Sequence, residues 1–330
     1  MVHDAGRPAR RSRREDSLTT ASSTFEAVDD RYPTRLDPGF TASAEPLVRP
    51  DPTVWGTRPG PFLERELTAY DRNGFHIEQG LLTPTQVQHC WSEFDRMVTD
   101  PALADSGLLV RERGSGAIRS VFRVHRVSPV FEALARTPRI LDRARQLLGS
   151  EVYIHQSRIN AMPGMAGTGF YWHSDFETWH AEDGLPAPRT VSLSIALTDN
   201  FAFNGGLMLM PGAHRTFVPC IGSTPDGNFH QSLQEQRVGV PSEQVITELG
   251  YEFGIDQFTG AAGAGLFFDA NSMHASGNNI SPYPRANVFL VFNSVENTPR
   301  APYGGVAPRP VHLAERDVTP LEPLDDSPFA

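Results

Sequence analysis

The sequence predicts a mainly β fold with flanking helices: an antiparallel sandwich or jelly roll behind an N-terminal layer of helices. Ahead of Glu151 the apolar residues recur at the helical period of about 3.6, and from Glu151 onward they recur at the strand period of 2. The later strands are short, and only residues 242–250 among them show a helical pattern. A parallel sheet with crossover helices is therefore not expected.

Composition limits the classes of partner. The 330 residues, 39% of them hydrophobic, can form a sizeable core, and no apolar run approaches the roughly 18 residues of a membrane span. A net charge of −10 disfavours nucleic acid, so we expect a small-molecule partner. Cys90 and Cys220 are too few for a disulfide scaffold, which favours a reducing cytoplasm.

All 29 basic residues are arginine. Without lysine the protein cannot form a lysine Schiff base, anchor pyridoxal phosphate or supply a phosphate-loop lysine, which excludes several large enzyme classes. Any anionic group of a ligand must be held by arginine, histidine, hydroxyl groups or backbone amides.

The beginning of the chain differs from the rest. Residues 1–35 are polar and carry five arginines in the first fourteen positions, so we expect a disordered, arginine-rich tail. Residues 36–62 are rich in proline and glycine and are expected to wrap the surface. They begin a single domain that covers residues 36–330.

Two helical stretches precede the strands. In the first, Thr83 is the predicted N-cap, Pro84 is the first helical residue and Gln86 completes a capping box. An apolar stripe follows at helical spacing: Val87, Cys90, Trp91, Phe94 and Met97. Cys90 is then a core residue and not a nucleophile.

The second stretch predicts two consecutive helices. Ser128 and Thr137 each precede a proline, which is typical of a helix start, and Gly149 follows the last apolar residue. Five strands are predicted beyond it: VYIHQSRIN, TVSLSIALTD, GLMLMPG, GAGLFFDA and ANVFLVFNSV.

The segment WHSDFETWH suggests a metal site. On an extended strand, His173 and Asp175 point to the same face and can share an ion. His274, after the strand GLFFDA, is the best candidate for a third ligand. Two imidazoles and one carboxylate form the facial triad of non-haem iron(II), which leaves positions open for a co-substrate and oxygen.

Other histidines are weaker candidates. His180 is a rival third ligand, although on a continued strand it would lie roughly 23 Å along the chain from His173. His155, His214 and His230 lack an acidic neighbour at strand spacing, so we interpret them as ordinary core or surface residues.

Arg285 opens the strand ANVFLVFNSV after the turn NNISPYP. A hairpin there would carry its guanidinium back beside His274. A planar guanidinium matches a carboxylate through two hydrogen bonds. Because 2-oxoglutarate chelates iron through its keto-acid end and needs a cation for its far carboxylate, Arg285 is the predicted partner of that carboxylate.

Several segments together resemble the ectoine hydroxylases, a branch of the phytanoyl-CoA dioxygenase superfamily. They are HQSRIN, WHSDFETWHAEDGLP, SLSIALTDN, FNGGLMLMPGAH and HASGNNISPYPRANVFLVFNSV, and the resemblance covers residues 65–312. It implies a cupin-like double-stranded β-helix, a homodimer and a role in making an osmoprotectant under stress. The implied reaction converts ectoine to 5-hydroxyectoine with iron(II), 2-oxoglutarate and O2, and releases succinate and CO2.

The resemblance also implies roles for individual residues. Carried over, the iron ligands are His173, Asp175 and His274. The residues expected to hold 2-oxoglutarate are Arg285, Ser276, Asn160 and Ser192. Those expected to contact ectoine are Gln156, Trp179, Asn287, Phe289 and Arg309, with Trp179 offering a ring face to the amidinium cation.

Two alternatives stay open. One keeps the iron chemistry but acts on another small amino acid such as proline. The other is a zinc-dependent hydrolase or a non-catalytic β-barrel binder that uses His173, Asp175 and His180.

Overall fold

A computed structural model of the chain describes residues 1, 30–39, 45–112, 115–232 and 237–324. It contains two units, Met1–Arg31 and Tyr32–Ala330, and the helices and strands of the described residues all belong to the second. Residues 2–29 of the predicted tail lie outside the described part. The folded unit nevertheless begins earlier than residue 36, because Tyr32 is fully buried and Arg35 is only 8% exposed.

A layer of helices packs against one sheet. The α-helices are α1 (Glu64–Asn73), α2 (Pro84–Thr99), α3 (Pro101–Ala104), α4 (Val124–Val127), α5 (Pro129–Arg136), α6 (Pro138–Leu148), α7 (Asp175–Thr178), α8 (Phe229–Ser232) and α9 (Glu243–Phe253). A π-helical turn, Trp179–Asp183, continues α7, and a 3-10 turn covers Ala213–Arg215. In the described part of the chain, no helix is long and apolar enough to cross a membrane.

The helix starts follow the capping signals in the sequence. The Thr83 hydroxyl accepts from the Gln86 amide at 3.3 Å, and the Gln86 side chain accepts from the Thr83 amide at 3.0 Å, as the predicted capping box requires. The Ser128 hydroxyl caps α5 by accepting from the Phe131 amide at 3.3 Å. Thr137 differs, since its hydroxyl donates to the Leu134 carbonyl and does not cap α6.

Thirteen strands lie in the described residues. They are β1 (Leu47–Val48), β2 (Phe75–Glu78), β3 (Leu109–Arg111), β4 (Ile118–Phe122), β5 (Val152–Met162), β6 (Phe170–His173), β7 (Thr190–Ala196), β8 (Leu207–Leu209), β9 (Thr216–Phe217), β10 (Asp256–Gln257), β11 (Gly265–Asp269), β12 (His274–Ser276) and β13 (Arg285–Ser294). All five predicted strand segments are present.

The strands form the antiparallel sheets of a jelly roll. The larger sheet has the order β2-β11-β7-β13-β5-β4-β3, the smaller has the order β10-β8-β12-β6, and β1 pairs with β9. β12 and β13 do not form the hairpin expected from the sequence, because they belong to different sheets. The connection between them crosses from one sheet to the other, as successive strands of a jelly roll do.

Residues alternate between two cores along β13. Val288, Leu290 and Phe292 pack with the helices in the larger hydrophobic cluster. Phe289, between them, packs with residues of both sheets, including Leu209 of β8. Because this strand is buried on both faces, its sequence is almost continuously apolar. The interior face of the sheet, which carries Phe289, is the one that forms the site.

Candidate metal centre and active site

Two neighbouring strands bring the two predicted imidazoles together. His173 ends β6, and His274 begins β12 directly opposite it in the antiparallel register. Their ring centroids are 4.2 Å apart. The Asp175 carboxylate lies 3.7 Å from Nε2 of His173 and 3.9 Å from Nε2 of His274. One ligand atom from each residue lies within 4.8 Å of the others, a spacing that can surround one ion.

Asp175 is positioned by a helical turn and not, as expected, by a strand. Ser174 is the last extended residue, and Asp175 begins α7. A backbone hydrogen bond holds the turn in place, because the Phe176 amide donates to the Ala270 carbonyl at 2.9 Å. The Ser174 hydroxyl also donates to the Asn271 side chain at 3.1 Å. The expected proximity of His173 and Asp175 is present, but the backbone that produces it is different.

Both imidazoles are oriented for metal binding by their own backbone. Nδ1 of His173 lies 2.7 Å from the Tyr171 carbonyl, and Nδ1 of His274 lies 3.0 Å from the Ser272 carbonyl. Since a carbonyl can only accept, each Nδ1 carries a proton, and the neutral form of each ring then presents the lone pair of Nε2 to a metal. This arrangement fixes the ring orientation and tautomer that a metal ligand needs.

The charge states also suit a divalent cation. Burial lowers the pKa of His274 to about 4, so this imidazole is neutral near pH 7. Burial alone would raise the pKa of Asp175, but the neighbouring His274 and His173 hold that pKa below its ordinary value. Two imidazoles and one carboxylate are the donor set that non-haem iron(II) takes in facial triads.

His180 lies in a different environment from the triad. Its Nδ1 donates to the Leu185 carbonyl at 2.7 Å, and its ring stacks on Tyr303 with centroids 4.0 Å apart. The residue is fully buried in the π-helical turn and is not part of the three-residue cluster found among the described residues. The interpretation of His180 as a third ligand therefore has no support in the geometry.

Arg285 is a buried cation in the same cavity. The side chain is 7% exposed, and none of the described carboxylates lies within 4 Å of its guanidinium. Its NH2 group lies 3.9 Å from the sulfur of Met162, and its buried Nε has no hydrogen-bond partner in the described structure. Burial lowers the pKa of Arg285 to about 10, which still leaves it charged at neutral pH. A buried cation of this kind calls for an anionic ligand.

Ten of the twelve predicted site residues line this cavity: His173, Asp175, His274, Arg285, Ser276, Asn160, Gln156, Trp179, Phe289 and Arg309. Ser192 and Asn287 do not line it. They are buried on β7 and β13, where the Ser192 hydroxyl and the Asn287 Oδ1 lack a hydrogen-bond partner among the described residues. Their predicted ligand contacts stay predictions.

Two of the residues expected to hold 2-oxoglutarate, Ser276 and Asn160, each keep a hydrogen-bond donor available to a ligand. The Ser276 hydroxyl accepts from the Phe170 amide at 3.1 Å, which leaves its own hydrogen available to a ligand. The Asn160 Oδ1 accepts from the Ser120 hydroxyl at 2.9 Å, which leaves the amide nitrogen available.

Arg158, which was not predicted as a site residue, lies between two predicted residues on β5. Gln156, Arg158 and Asn160 alternate along the strand and all line the cavity. The guanidinium of Arg158 donates to Gln156 and lies 4.8 Å from the centroid of the Phe289 ring. The signal was present in HQSRIN, because residues two apart on a strand share a face.

A second feature that was not predicted is the set of contacts made by Asp183, an acidic residue after Trp179. Asp183 is fully buried and accepts two hydrogen bonds from Arg309, at 2.7 and 2.6 Å. The same carboxylate lies 3.1 Å from Nε2 of His155, whose ring meets the Trp179 ring edge to face at 5.4 Å. Asp183 and His155 do not line the cavity, but they support two residues that do, Arg309 and Trp179.

The segment 222–241 also contributes residues to the lining of the cavity. Asn228 and Val238 are lining residues, and the Asn228 side chain donates to the cavity residue Glu182 at 3.3 Å. Residues 233–236 of this segment lie outside the described part of the chain.

Known proteins are similar to this chain over most of its length. The model of the phytanoyl-CoA dioxygenase (PhyH) family matches residues 70–287. The ectoine dioxygenase of Nocardia farcinica is 56% identical over 293 residues, which cover 88% of this chain and 95% of that protein. The ectoine dioxygenase of Streptomyces coelicolor is 52% identical over 303 residues, which cover 91% and 100%.

Solved structures agree with the sequence comparisons. EctD from S. alaskensis with 2-oxoglutarate and 5-hydroxyectoine superimposes with a TM-score of 0.78 at 40% identity, covering 90% of this chain and 98% of that chain. EctD from the same organism with bound Fe gives the same values. The fold, the triad and the extent of these matches agree: the chain belongs to the phytanoyl-CoA dioxygenase family.

Proposed function

We propose that the protein hydroxylates ectoine to 5-hydroxyectoine, using iron(II), 2-oxoglutarate and O2 and releasing succinate and CO2. The observation that carries this proposal is the combination of the His173, Asp175 and His274 cluster with the buried cation Arg285 in one cavity. Relatives at 52–56% identity are ectoine dioxygenases, and the EctD structures hold Fe, 2-oxoglutarate and 5-hydroxyectoine.

The three ligand residues would hold the iron on one face. When bound, iron(II) supplies the oxidising chemistry that consumes O2 and 2-oxoglutarate. The contribution of the protein is to keep both Nε2 atoms and the Asp175 carboxylate directed at one point, through the carbonyl contacts of the two imidazoles. Three protein ligands leave coordination positions for the two co-substrates.

Arg285 would bind the far carboxylate of 2-oxoglutarate. Its guanidinium is buried and lacks a carboxylate partner in the described residues, so the anion would restore charge balance. Ser276, which lines the cavity two residues after His274, can donate its hydroxyl hydrogen to the same anion. Asn160 and Ser192 are proposed as secondary contacts.

The substrate would lie between aromatic and polar groups. Trp179 offers a ring face to the amidinium cation of ectoine, an interaction of about 1–2 kcal/mol when desolvated. The NH1 group of Arg309 is not used in the contact with Asp183, so it can meet the substrate carboxylate. Gln156, Asn287 and Phe289 complete the proposed set. Their role is to hold one C–H bond toward the metal, because the oxidant attacks whatever lies nearest.

Mass spectrometry tests this function. Purified protein with iron(II), 2-oxoglutarate and ectoine should form a product 16 mass units heavier in air and none without oxygen, with succinate in equal amount. Parallel reactions with proline test the alternative substrate. Succinate release stimulated by proline and not by ectoine would replace the proposal.

The proposal extends to assembly and setting. We propose a homodimer that works in the cytoplasm, where 5-hydroxyectoine serves as an osmoprotectant in the stress response. The two cysteines support a reducing compartment, because both are free and buried. Light scattering coupled to size-exclusion chromatography tests the dimer, which should have about twice the 36.3 kDa mass of the chain.

A further inference from the structure

Arg35 is a buried arginine outside the residues that match the family model, and it contacts the active-site motif. Its Nε and NH2 groups donate to the two oxygens of Glu177 at 2.6 and 2.9 Å, and NH1 donates to Glu182 at 3.1 Å. NH1 also donates to the Thr224 hydroxyl at 2.6 Å. One guanidinium therefore connects three segments: residues 32–36, the turn after the metal ligand Asp175, and the segment beginning at residue 221.

The backbone around Arg35 is tied to the same places. The amide of Leu36 donates to the Cys220 carbonyl at 3.0 Å, and the amide of Gly222 donates to the Leu36 carbonyl at 2.8 Å. The Thr34 hydroxyl donates to Glu177 at 2.7 Å. Arg35 itself has a φ of 56°, in the left-handed region that costs energy for a side chain other than glycine. Surrounding contacts must hold such a conformation, which is common at functional sites.

The two acids bound by Arg35 flank the proposed substrate residue. Glu177 and Glu182 lie on either side of Trp179, and Glu182 lines the cavity. Glu182 also accepts from the Asn228 side chain at 3.3 Å, and Asn228 is itself a lining residue. Thus the Arg35 guanidinium lies directly behind one cavity residue and is linked through it to another.

Close packing restricts the backbone next to the ion pair between Arg35 and Glu177, the junction of the three segments. A Cβ added to Gly239 would lie 2.5 Å from the Glu177 carboxylate and 2.6 Å from NH2 of Arg35, so the backbone at residue 239 closes against the ion pair. Gly239 follows the lining residue Val238. Both ends of the segment 221–241 therefore meet the same guanidinium.

Charge explains why the arginine is needed. Glu177 and Glu182 are 1% and 2% exposed. Without Arg35, Glu177 would lose its ion pair, and Glu182 would keep the longer ion pair with Arg309 at 3.9 Å and the neutral Asn228 donor at 3.3 Å. Uncompensated buried carboxylates are strongly unfavourable, so the turn that carries Trp179 would move to let water reach them.

We propose that Arg35 is a positioning residue of the active site, which holds the turn 177–183 and the segment 221–228 together against the substrate part of the cavity. The inference rests on the proposed function, because it assigns Trp179 and Glu182 to the substrate side. It predicts that Arg35 affects the use of ectoine far more than the use of 2-oxoglutarate.

The test compares Arg35→Gln with Arg145→Gln in the full-length protein loaded with iron(II). Arg145 is a matched control, because it is 7% exposed, pairs with Glu151 and does not line the cavity. Arg35→Gln should raise the KM for ectoine at least tenfold and the amount of succinate formed per 5-hydroxyectoine at least threefold. The KM for 2-oxoglutarate should stay within twofold. Arg145→Gln should lower only the melting temperature.

Hydrogen–deuterium exchange supplies a readout that does not depend on turnover. Peptides from residues 175–184 and 220–230 should exchange at least five times faster in Arg35→Gln than in the wild type, while the helices α2 and α6 stay unchanged. Arg35→Lys keeps the charge but not the two-pronged contact, so its KM for ectoine should lie between those of the wild type and Arg35→Gln.

Each outcome decides the inference. An ectoine KM within twofold of the wild type, or unchanged exchange in both peptides, would overturn it. If Arg35→Gln fails to fold, Thr224→Val tests the same junction by replacing one hydroxyl group with a methyl group of similar size, and an unchanged exchange rate at residues 175–184 would be decisive against the inference. If the wild type does not hydroxylate ectoine, the proposed function fails, and exchange alone decides the role of Arg35.

Discussion

Two sets of charged groups lie in the cavity or directly behind its lining residues, and they differ in how their charges are compensated. Arg285, on β13, is buried without a carboxylate within 4 Å among the described residues, and the Nε2 atoms of His173 and His274 carry free lone pairs. Around the turn 177–183, in contrast, Arg309 is bound to Asp183 and Arg35 to Glu177. The first set can therefore bind ligands from solution, whereas the charges of the second set are neutralised by other side chains of the protein.

The difference indicates a division of tasks. Groups that must bind iron and a dianion gain from an incomplete environment, because the ligand supplies the missing charge. Groups that must orient a small substrate gain from rigid support, since binding energy is then not used to order side chains. Substitutions in the first set should weaken the binding of iron or of 2-oxoglutarate, and those in the second should weaken substrate orientation.

His274→Ala should have the largest effect. Removing one of the three proposed iron ligands should lower the metal content below one tenth and kcat by more than about a hundredfold, because even indirect partners of a metal ligand contribute about 10–100-fold. Metal analysis by mass spectrometry checks the content. His180→Ala is the control and should keep its iron. The reverse pattern would favour the zinc alternative.

Arg285→Ala should affect one co-substrate. Loss of one partner of a buried charge pair costs about 2–5 kcal/mol, so the KM for 2-oxoglutarate should rise well over tenfold. The KM for ectoine should change little. Steady-state kinetics with each substrate varied in turn measures both constants, and an unchanged KM for 2-oxoglutarate would contradict the assignment.

Asp183→Asn should affect the second set of charged groups, those around the turn 177–183. The variant leaves Arg309 buried with a neutral partner, so we expect the KM for ectoine to rise about thirtyfold, equivalent to about 2 kcal/mol. The KM for 2-oxoglutarate should stay within twofold. Asp317→Asn, which removes a surface partner of Arg126, is the control. Equal changes in both KM values would show that the two sets are not independent.

Trp179→Ala should have a smaller effect of the same kind. Loss of a cation–π contact of about 1–2 kcal/mol should raise the KM for ectoine about 5–30-fold. The slow decay of 2-oxoglutarate in the absence of ectoine should remain, since the groups that bind it are untouched. Measuring succinate with and without ectoine separates these two effects.

Deletion of residues 2–29 should have the smallest effect. It keeps Tyr32 and Arg35, whose contacts tie the chain to the turn 177–183. Turnover and melting temperature should match those of the full chain. A loss of activity would mean that the compensated set extends into the deleted residues.

The strands and the first helices could be predicted because their signals are local. The capping box at Thr83 and the apolar run in β13 depend on residues a few positions apart. The proximity of His173, Asp175 and His274 was predictable from residue types, although the backbone was not: a strand was expected through Asp175, where α7 begins. The apolar spacing of WHSDFETWH does not distinguish a strand end from a short helical turn.

The ion pairs that support the substrate side could not be predicted in the same way. Arg35 and Glu177 are 142 residues apart, and Asp183 and Arg309 are 126 residues apart. A single arginine in a polar stretch resembles any solvated charge, and only the three-dimensional arrangement selects its partner. Arg158 is the exception, because its position two residues after Gln156 on a strand carried the information.

The carbonyl contacts of His173 and His274 have a practical consequence. Each ring is oriented by the residue two positions earlier in its own chain segment, so its aim does not depend on a bound ion. Iron lost during handling should return on simple addition, without refolding. Cobalt(II) or nickel(II) should bind at the same site and give an inactive protein. The visible spectrum of that protein should change when each co-substrate binds.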